Sequence, residues 1–426
     1  DALLEILYPH LVRPIPSMSI ACVELDLDQA VPATGLHVGR GTEFGSRPVR
    51  GDPLRFRASS AVDVWPLRVS AAAVGAVRAD QMERFPRARC TLRLAIGCEG
   101  PQSLGELELS SLRLHLTGEG RTVADVYELL CANVLGVTVT PEGSRGGYEL
   151  DPSSLEPRGF GDEEAMLPYP RRSFGAYRLL QEYFAFPQKF HFIELTGLER
   201  LRGIAARGFE IEVLLDREPR VPQASIDAGC FRLNCVPLVN LFEIDADPIR
   251  RTPYTSTHDV VPDAQRPLDL EVYSVDEVVC LEKGTRERHV LAPLYSMRHD
   301  PAATRGNAYW HAIRRASLKK GDDGTDVAIA LVDLDLASAS HEDTTLHVRV
   351  TCTNRDTPFQ SKEWGRVDDF RPADLTGVAG VRCIHPPTRT LRPGLSGAQH
   401  WRLISQLSLN HLSIVSEGRD ALREIL

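Results

Sequence analysis

The chain has 426 residues and a mass of 47.1 kDa, which suits two or three domains of ~100–200 residues each. Hydrophobic residues make up 42% of it and charged residues 25%, a composition that excludes a disordered or collagen-like chain. The formal charge of −9 argues against a general nucleic-acid binder, whose domains are usually basic. No apolar run approaches the ~20 residues needed to cross a bilayer, so we predict no direct membrane insertion.

The first part of the chain is predicted to form half-buried antiparallel strands. A period of two puts one set of side chains on each face of a strand, and apolar and polar residues alternate in this way at Leu92–Ile96, Leu107–Leu109 and Leu112–Leu116. Apolar residues recur with helical spacing at Val123–Asn133, with Thr122 as the expected N-cap. The Gly-, Ser- and Pro-rich stretch Pro141–Pro157 indicates a connection. We therefore place a β-rich N-terminal domain at residues 1–150.

An aromatic helix is predicted early in the second region, with Ser173 as its N-cap and Pro187 as its stop. We favour core packing for its apolar stripe, with Leu180 and Phe184 against the next predicted strand, Phe190–Leu195, since consecutive elements are usually neighbours. The alternative is a partner surface, where Tyr and Arg are enriched. The stripe consists of Phe174, Tyr177, Leu180, Tyr183 and Phe184.

Three arginines flank this stripe, and an unpaired buried charge is too costly to persist in a folded protein. Arg171, Arg172 and Arg178 are therefore expected to pair with acids such as Asp162 and Glu182, or to face a partner subunit. On the second alternative, the candidate interface residues of this segment are Arg171, Arg172 and Tyr177.

The remaining chain is predicted to contain more strands than helices, without the regular β-α alternation of a doubly wound parallel sheet. The predicted strands are Phe209–Leu215, Phe231–Cys235, Leu270–Val275, Val327–Val332 and Leu346–Thr351. Near the C-terminus, Trp401–Ser416 is predicted to be a helix that is apolar nearly all round, and it must be buried on several sides, in this chain or against another. Its candidate interface residues are Trp401, Leu407 and Leu412.

These elements predict a β-rich α+β fold with several mixed or antiparallel sheet lobes and a few packed helices. After the N-terminal domain we expect a central α+β region at 151–395, which could hold two subdomains. A C-terminal helical segment at 396–426 completes the predicted organisation.

We find no catalytic constellation in the sequence, which has no GxSxG and no HExxH motif. The nine scattered cysteines contain no CxxC pair and favour reduced, mostly buried thiols in a cytosolic protein. We therefore predict no enzymatic activity, no cofactor and no bound metal. The alternative is a metal-dependent hydrolase, because Asp333 and Asp335 place two carboxylates on one face of a strand. A strand end with solvated acids is the simpler interpretation of this pair.

Six segments that together reach from one end of the chain to the other carry a resemblance to a known family. The longest, Gly159–Leu198, has the sequence GFGDEEAMLPYPRRSFGAYRLLQEYFAFPQKFHFIELTGL. The others are Tyr8–Ser19, Trp65–Val69, Phe231–Glu243, Thr351–Asp356 and Trp401–Ser413. The chain resembles the TssF family, also called VasA or ImpG, of baseplate subunits in the bacterial type VI secretion system.

The resemblance implies a structural protein, similar to the wedge proteins of contractile phage tails and without known enzymatic activity. It implies that two copies join one TssG in a heterotrimer that also engages the TssK adaptor and the TssE sheath initiator. Such wedges surround the spike hub, VgrG, and carry the sheath at the cytoplasmic face of the inner membrane. Family members usually have a helical segment before the YPH motif and further sequence after the last helix, so we expect a chain truncated at both ends.

Overall fold

The computed structural model describes residues 4, 8–49, 51–169, 175–251, 255–282, 288–294, 308–319, 321–333 and 344–405. Within these residues the fold is β-rich, with several sheets and few helices, as the sequence predicts. The helices are α1 Pro9–Val12, α2 Ala79–Arg84, α3 Gly120–Ala132, α4 Gly175–Ala185, α5 Thr357–Gln360 and α6 at residues 397–405.

The strands are mostly short, and almost all of their pairings are antiparallel. The first group consists of β1 Met18–Leu25, β2 Leu36–Val38, β3 Glu43–Val49, β4 Asp52–Ala58, β5 Val62–Val64, β6 Leu67–Gly75, β7 Cys90–Cys98, β8 Ser111–Leu116, β9 Val134–Pro141, β10 Tyr148–Leu150, β11 Leu155–Arg158, β12 Phe192–Thr196, β13 Gly208–Leu215 and β14 Phe231–Arg232. The second consists of β15 Cys235–Val239, β16 Phe242–Asp245, β17 Ile249–Arg250, β18 Thr257–Val260, β19 Glu271–Glu282, β20 Arg288–Pro293, β21 Ala308–Ala316, β22 Thr325–Asp333, β23 Thr344–Thr353, β24 Phe370–Pro372 and β25 Val378–His385.

Two sheets and α3 enclose the largest hydrophobic core, and we call this unit the sandwich. One sheet has the strand order β10-β9-β13-β7-β6, and the other has the order β11-β12-β8-β14. Leu94 of β7, Leu114 of β8 and Val126 of α3 are buried in the same core, so the alternation predicted for β7 and β8 is confirmed. The predicted boundary at residue 150 falls at the end of β10, inside this unit, and the division of the chain into domains stays a prediction.

Three local predictions in this region are wrong. Leu107–Leu109 follows a 3-10 turn at Leu104–Glu106 and is irregular, although both of its leucines are buried. Alternate burial against a core therefore occurs here outside a strand. Pro141–Pro157, predicted to be a connection, contains β10 and the start of β11. Finally, α3 begins at Gly120, so Thr122 lies inside the helix instead of at its N-cap.

The strands β1, β15, β4, β3, β24 and β25 close into a barrel, filled by side chains such as Phe56 and Phe370. The chain passes from the sandwich into the barrel at Asn234, which splits the predicted strand Phe231–Cys235 into β14 and β15. Asn234 has a φ of 58°, a left-handed conformation in which Asn is enriched. Its side chain accepts from the N–H and donates to the C=O of Trp65, at 2.9 and 2.8 Å. These two bonds hold the crossing in place.

The largest sheet has the order β16-β23-β19-β20-β21-β22-β18, with β17 also paired to β23. Val278, Ile329 and Val348 lie in its core, and the strands predicted here from the sequence are confirmed as parts of β19, β22 and β23. Two asparagines connect this sheet to the barrel. The Asn240 side chain donates to the Arg55 carbonyl at 2.7 Å and accepts from the backbone N–H of Asn354 at 2.7 Å.

The outer face of the barrel is covered by the segment that contains α4. Met18 and Ile20 of β1 pack with Met166, with Phe186 just after α4 and with Phe192 of β12. This shared cluster packs residues that precede and follow α4 against the body of the protein.

Candidate partner interface

The helix α4 places charged residues inside and apolar residues outside. Arg178, Glu182 and, beyond the helix end, Lys189 are 3%, 0% and 1% exposed, whereas Leu180 and Phe184 are 53% and 80% exposed. Residues four apart share one face of a helix, so the Arg178–Glu182 face points inward and the Leu180–Phe184 face points outward. This is the reverse of the usual arrangement of a surface helix.

The inward face is stabilised by a buried ion pair with additional hydrogen bonds. The Glu182 carboxylate accepts from the backbone N–H groups of Met166 and Leu167 at 2.9 and 3.0 Å and pairs with the Lys189 ammonium. Burial lowers the pKa of Lys189, and the neighbouring Glu182 carboxylate opposes that shift. Because removal of one partner would leave the other charge buried and unpaired, this pair holds the orientation of α4 firmly.

Arg178 anchors the same face to the loop that precedes the helix. Its guanidinium donates to the backbone oxygen of Phe160 at 3.2 Å and pairs with Asp162 at 3.1 Å. The predicted pairing of Arg178 with a nearby acid is therefore confirmed. The other two arginines of the prediction, Arg171 and Arg172, lie outside the described residues.

The outward face belongs to a cluster of exposed apolar side chains. Phe160 and Tyr183 are 46% and 54% exposed, and their ring centroids lie 4.9 and 6.0 Å from that of the buried Phe190. The ring of Phe184 lies 5.6 Å from that of Tyr183. Contiguous exposed apolar surface marks interaction sites in soluble proteins. We call Phe160, Leu180, Tyr183 and Phe184 the α4 patch.

The prediction that Leu180 and Phe184 pack against β12 is therefore wrong. The interior position goes to Phe186, which is 1% exposed and packs on the outer face of the barrel. An apolar stripe shows that a helix has two faces, but the tertiary partners decide which face is buried. Arg178 and Glu182 lie four residues apart, a spacing typical of ion pairs on an exposed helix face, so the sequence contains no local signal that this face is buried.

The other described candidates, Tyr177 and Trp401, lie on helices that pack beside the N-terminal segment of the chain. Tyr177 of α4 is half-buried and, like Leu403 and Ile404 of α6, packs against a small cluster that contains Val12. Trp401 is 71% exposed, so α6 is covered on one side over residues 397–405 and the described part of this chain does not cover Trp401. Two predicted contacts, Leu407 and Leu412, lie outside the described residues.

The described ranges contain no group of three or more His, Cys, Asp or Glu side chains that could hold a metal ion. Asp333 is the last residue of β22, and Asp335 lies outside those ranges, so the structure does not test the hydrolase alternative. Among the described helices, none has the length and apolar character required to cross a membrane.

Comparison of the sequence with known families gives a match over the whole chain. Residues 1–426 match the family described as type VI secretion system, TssF. The chain is also 34% identical over 447 aligned residues to type VI secretion system component TssF1 of Pseudomonas aeruginosa strain PAO1. That alignment covers 100% of this chain and 71% of the relative.

Solved structures give the same result for the fold. The chain is similar, with a TM-score of 0.76 and 25% identity, to a chain of the TssK-TssF-TssG baseplate subcomplex determined by cryo-electron microscopy. The match covers 97% of this chain and 74% of that one. A chain of the type VI secretion system baseplate complex shares the fold, with a TM-score of 0.59, 24% identity and coverage of 95% and 68%. The chain therefore belongs to the TssF family and is a component of the type VI secretion system baseplate.

Proposed function

We propose that this chain acts as a structural wedge subunit, in which two copies join one TssG and the complex engages TssK and TssE. The observation that supports this role is the similarity, over 97% of the chain, to a chain solved in a complex with TssK and TssG. In this role the protein catalyses no reaction. It positions its partners around the spike hub, VgrG, and supports sheath assembly at the cytoplasmic face of the inner membrane.

Co-expression with TssG followed by native mass measurement tests this proposal. We expect a complex with two copies of this chain and one TssG, which binds added TssK and TssE. Absence of a complex, or a stable ratio of one to one, would contradict the proposed wedge. A screen for hydrolase, transferase and nucleotide turnover is expected to be blank, and turnover that is lost in Asp335→Ala would favour the hydrolase alternative.

We place the TssG contact of this wedge at the α4 patch. Burying one large apolar side chain is worth ~1.5–3 kcal/mol, so an exposed cluster of four such residues offers a strong driving force for association. The ion pair behind Leu180 and Phe184 fixes the helix before binding, and a rigid surface loses less entropy when it docks. The sequence adds further candidates for the same contact: Arg171, Arg172, Tyr177, Trp401, Leu407 and Leu412.

The double variant Leu180→Ala, Phe184→Ala tests this placement in a pull-down with TssG. We expect the affinity for TssG to fall at least about tenfold, or roughly 1.4 kcal/mol. Leu318→Ala is the matched control, since Leu318 is 84% exposed and lies far along the chain in the β21–β22 connection. Unchanged TssG binding with loss of TssK, or of the second copy, would assign the patch to that partner instead.

A further inference from the structure

Two cysteines lie directly opposite each other on neighbouring strands of the barrel. Cys22 of β1 is the register partner of Cys235 of β15. The next pair along is hydrogen-bonded, since the Val23 N–H donates to the Asn234 carbonyl at 2.9 Å. Cys22 and Cys235 therefore form a non-hydrogen-bonded pair, whose Cα atoms are about 4.5 Å apart in antiparallel sheets. This separation lies within the roughly 4.4–6.8 Å that a disulfide spans.

The two thiol groups also lie beside the same backbone carbonyl group. Both sulfur atoms lie within hydrogen-bond distance of the carbonyl oxygen of Leu233, Cys22 at 3.4 Å and Cys235 at 3.5 Å, and the Cys235 thiol is also placed to donate to the Cys22 sulfur. Both are free thiols in the structure. A rotation of the two side chains, without any change of strand register, would bring the sulfur atoms together.

The two thiols differ in exposure and in acidity. Cys235 is 2% exposed, whereas Cys22 is only half-buried. The hydrogen bond with Cys235 lowers the pKa of Cys22, and the guanidinium groups of Arg232 and Arg382 add to this effect, against the opposing effects of burial and Glu24. Burial raises the pKa of Cys235. Because the thiolate is the reactive form, Cys22 is the thiol that reacts first.

We propose that Cys22 and Cys235 are a reversible redox pair, which hydroperoxides oxidise to a disulfide across the β1–β15 seam of the barrel. The Cys22 thiolate attacks one oxygen of hydrogen peroxide, giving a sulfenic acid and hydroxide, which is protonated to water. The Cys235 thiol then attacks the Cys22 sulfur, the S–S bond forms, and a second water leaves with the hydroxyl and the thiol proton. Two electrons pass from the thiols to one peroxide, and a dithiol reductant reverses the reaction by exchange.

The disulfide would act on the junction between the two units. Cys235 directly follows Asn234, where the chain passes from the sandwich into the barrel, so the bond would fasten β1 to this crossing. It would also close the long loop between residues 22 and 235, which restricts the unfolded chain. Oxidation is therefore expected to raise the Tm by a few degrees. This inference does not depend on the proposed wedge role.

The experiment treats the purified full chain with hydrogen peroxide, blocks the remaining thiols with N-ethylmaleimide and analyses a non-reduced digest by mass spectrometry. We expect a linked peptide pair containing Cys22 and Cys235, lighter by two hydrogens than the separate peptides. Apart from any oxidation of Cys131, the count of free thiols should fall from nine by two, and dithiothreitol should restore these two thiols. In Cys235→Ser, dimedone should label Cys22, because no second thiol remains to resolve the sulfenic acid.

The controls separate this pair from general oxidation. Cys22→Ser and Cys22→Ala should each abolish the linked peptide, whereas Cys90→Ser should retain it, since Cys90 of β7 lies opposite Leu215 instead of a cysteine. Cys131 is exposed and reports whether the oxidant has acted. Oxidation of Cys131 in the parent protein without any Cys22–Cys235 link would overturn the proposal, whether or not the variants fold.

Discussion

In the sandwich core, Leu94 and Leu114 are 1% and 2% exposed, whereas on α4 Leu180 and Phe184 are 53% and 80% exposed. Both regions are amphipathic. The strands of the sandwich turn their apolar face inward, whereas α4 turns its charged face inward. A buried ion pair is at best weakly stabilising compared with apolar packing, so burial of apolar side chains does not explain the orientation of α4. The apolar face of α4 is therefore at the surface of the described chain, which is the arrangement that the proposed contact with TssG requires.

The largest effect that would test this comparison is expected from Glu182→Ala. It would leave the Lys189 ammonium and two backbone N–H groups without their buried partner, and should lower the free energy of unfolding by about 3–5 kcal/mol. Chemical denaturation of the isolated chain measures this loss. The double variant Glu182→Leu, Lys189→Met removes both charges and should be less destabilised than the single variant. Equal losses would show that the ion pair does not fix α4.

In the sandwich the expected loss has a different cause. Leu94→Ala should lower the free energy of unfolding by about 2–5 kcal/mol, because it opens a cavity in a closely packed core. The same denaturation experiment measures it, with Leu318→Ala as an exposed control. If Leu94→Ala cost no more than Leu318→Ala, the two sheets would not share the core described here.

The sequence predicts the sandwich better than it predicts α4, for a physical reason. Because one face of β7 and of β8 is buried, apolar and polar residues alternate along the sequence of each strand. The existence of α4 and its end before Pro187 are also predicted, since a proline acts locally. The predicted N-cap, Ser173, lies outside the described residues. The orientation of α4 depends on the backbone N–H groups of Met166 and Leu167, and no local pattern in the sequence places these groups beside Glu182.

The same limit applies to the candidate site. The residue types of Tyr177 and Trp401 make them candidate contacts from the sequence alone, whereas Phe160 joins the patch only because its ring lies beside Phe190 in space. The break at Asn234 was also missed, because the residues around it continue to alternate while the chain changes sheets. In both cases the decisive interaction is between residues far apart in the chain.

Where the sandwich meets the barrel, a contact between two histidines makes the stability of the protein depend on pH. The Nε2 atoms of His115 in β8 and His385 in β25 are 3.0 Å apart. Burial lowers the pKa of His385 to about 4, with a smaller contribution from His191, and burial also lowers the pKa of His115. In the unfolded chain the pKa of both histidines returns to about 6.5. The unfolded chain therefore binds more protons than the folded chain below that pH. Stability should therefore fall as the pH drops from about 6.5 toward 4.

For His385 alone, the expected loss between pH 7 and pH 5 is about 2 kcal/mol. Urea denaturation at the two pH values measures it, and His385→Gln should reduce the pH dependence by that amount. His347→Gln is the control, since its side chain in β23 is exposed. A pH dependence in His385→Gln equal to that of the parent would exclude this contact as the source.

The smallest expected effect on stability is the sharpest test, because it compares two phenylalanines two residues apart. Phe184→Ala should change the free energy of unfolding by less than about 0.5 kcal/mol, as for other surface substitutions. Phe186→Ala should lower it by about 3–5 kcal/mol, because that ring is 1% exposed and fills the cluster on the outer face of the barrel. Thermal and urea unfolding of both variants measure the difference.

The reverse order is expected when TssG binding is measured on the folded proteins. Phe184→Ala should weaken binding although the fold is intact, whereas Phe186→Ala should bind normally at a temperature where it is still folded. A large stability loss in Phe184→Ala would mean that its ring is covered within the isolated chain. Normal TssG binding by a stable Phe184→Ala would instead mean that α4 keeps its apolar face outside for a reason other than TssG binding. The buried ion pair alone would then account for the orientation of the helix.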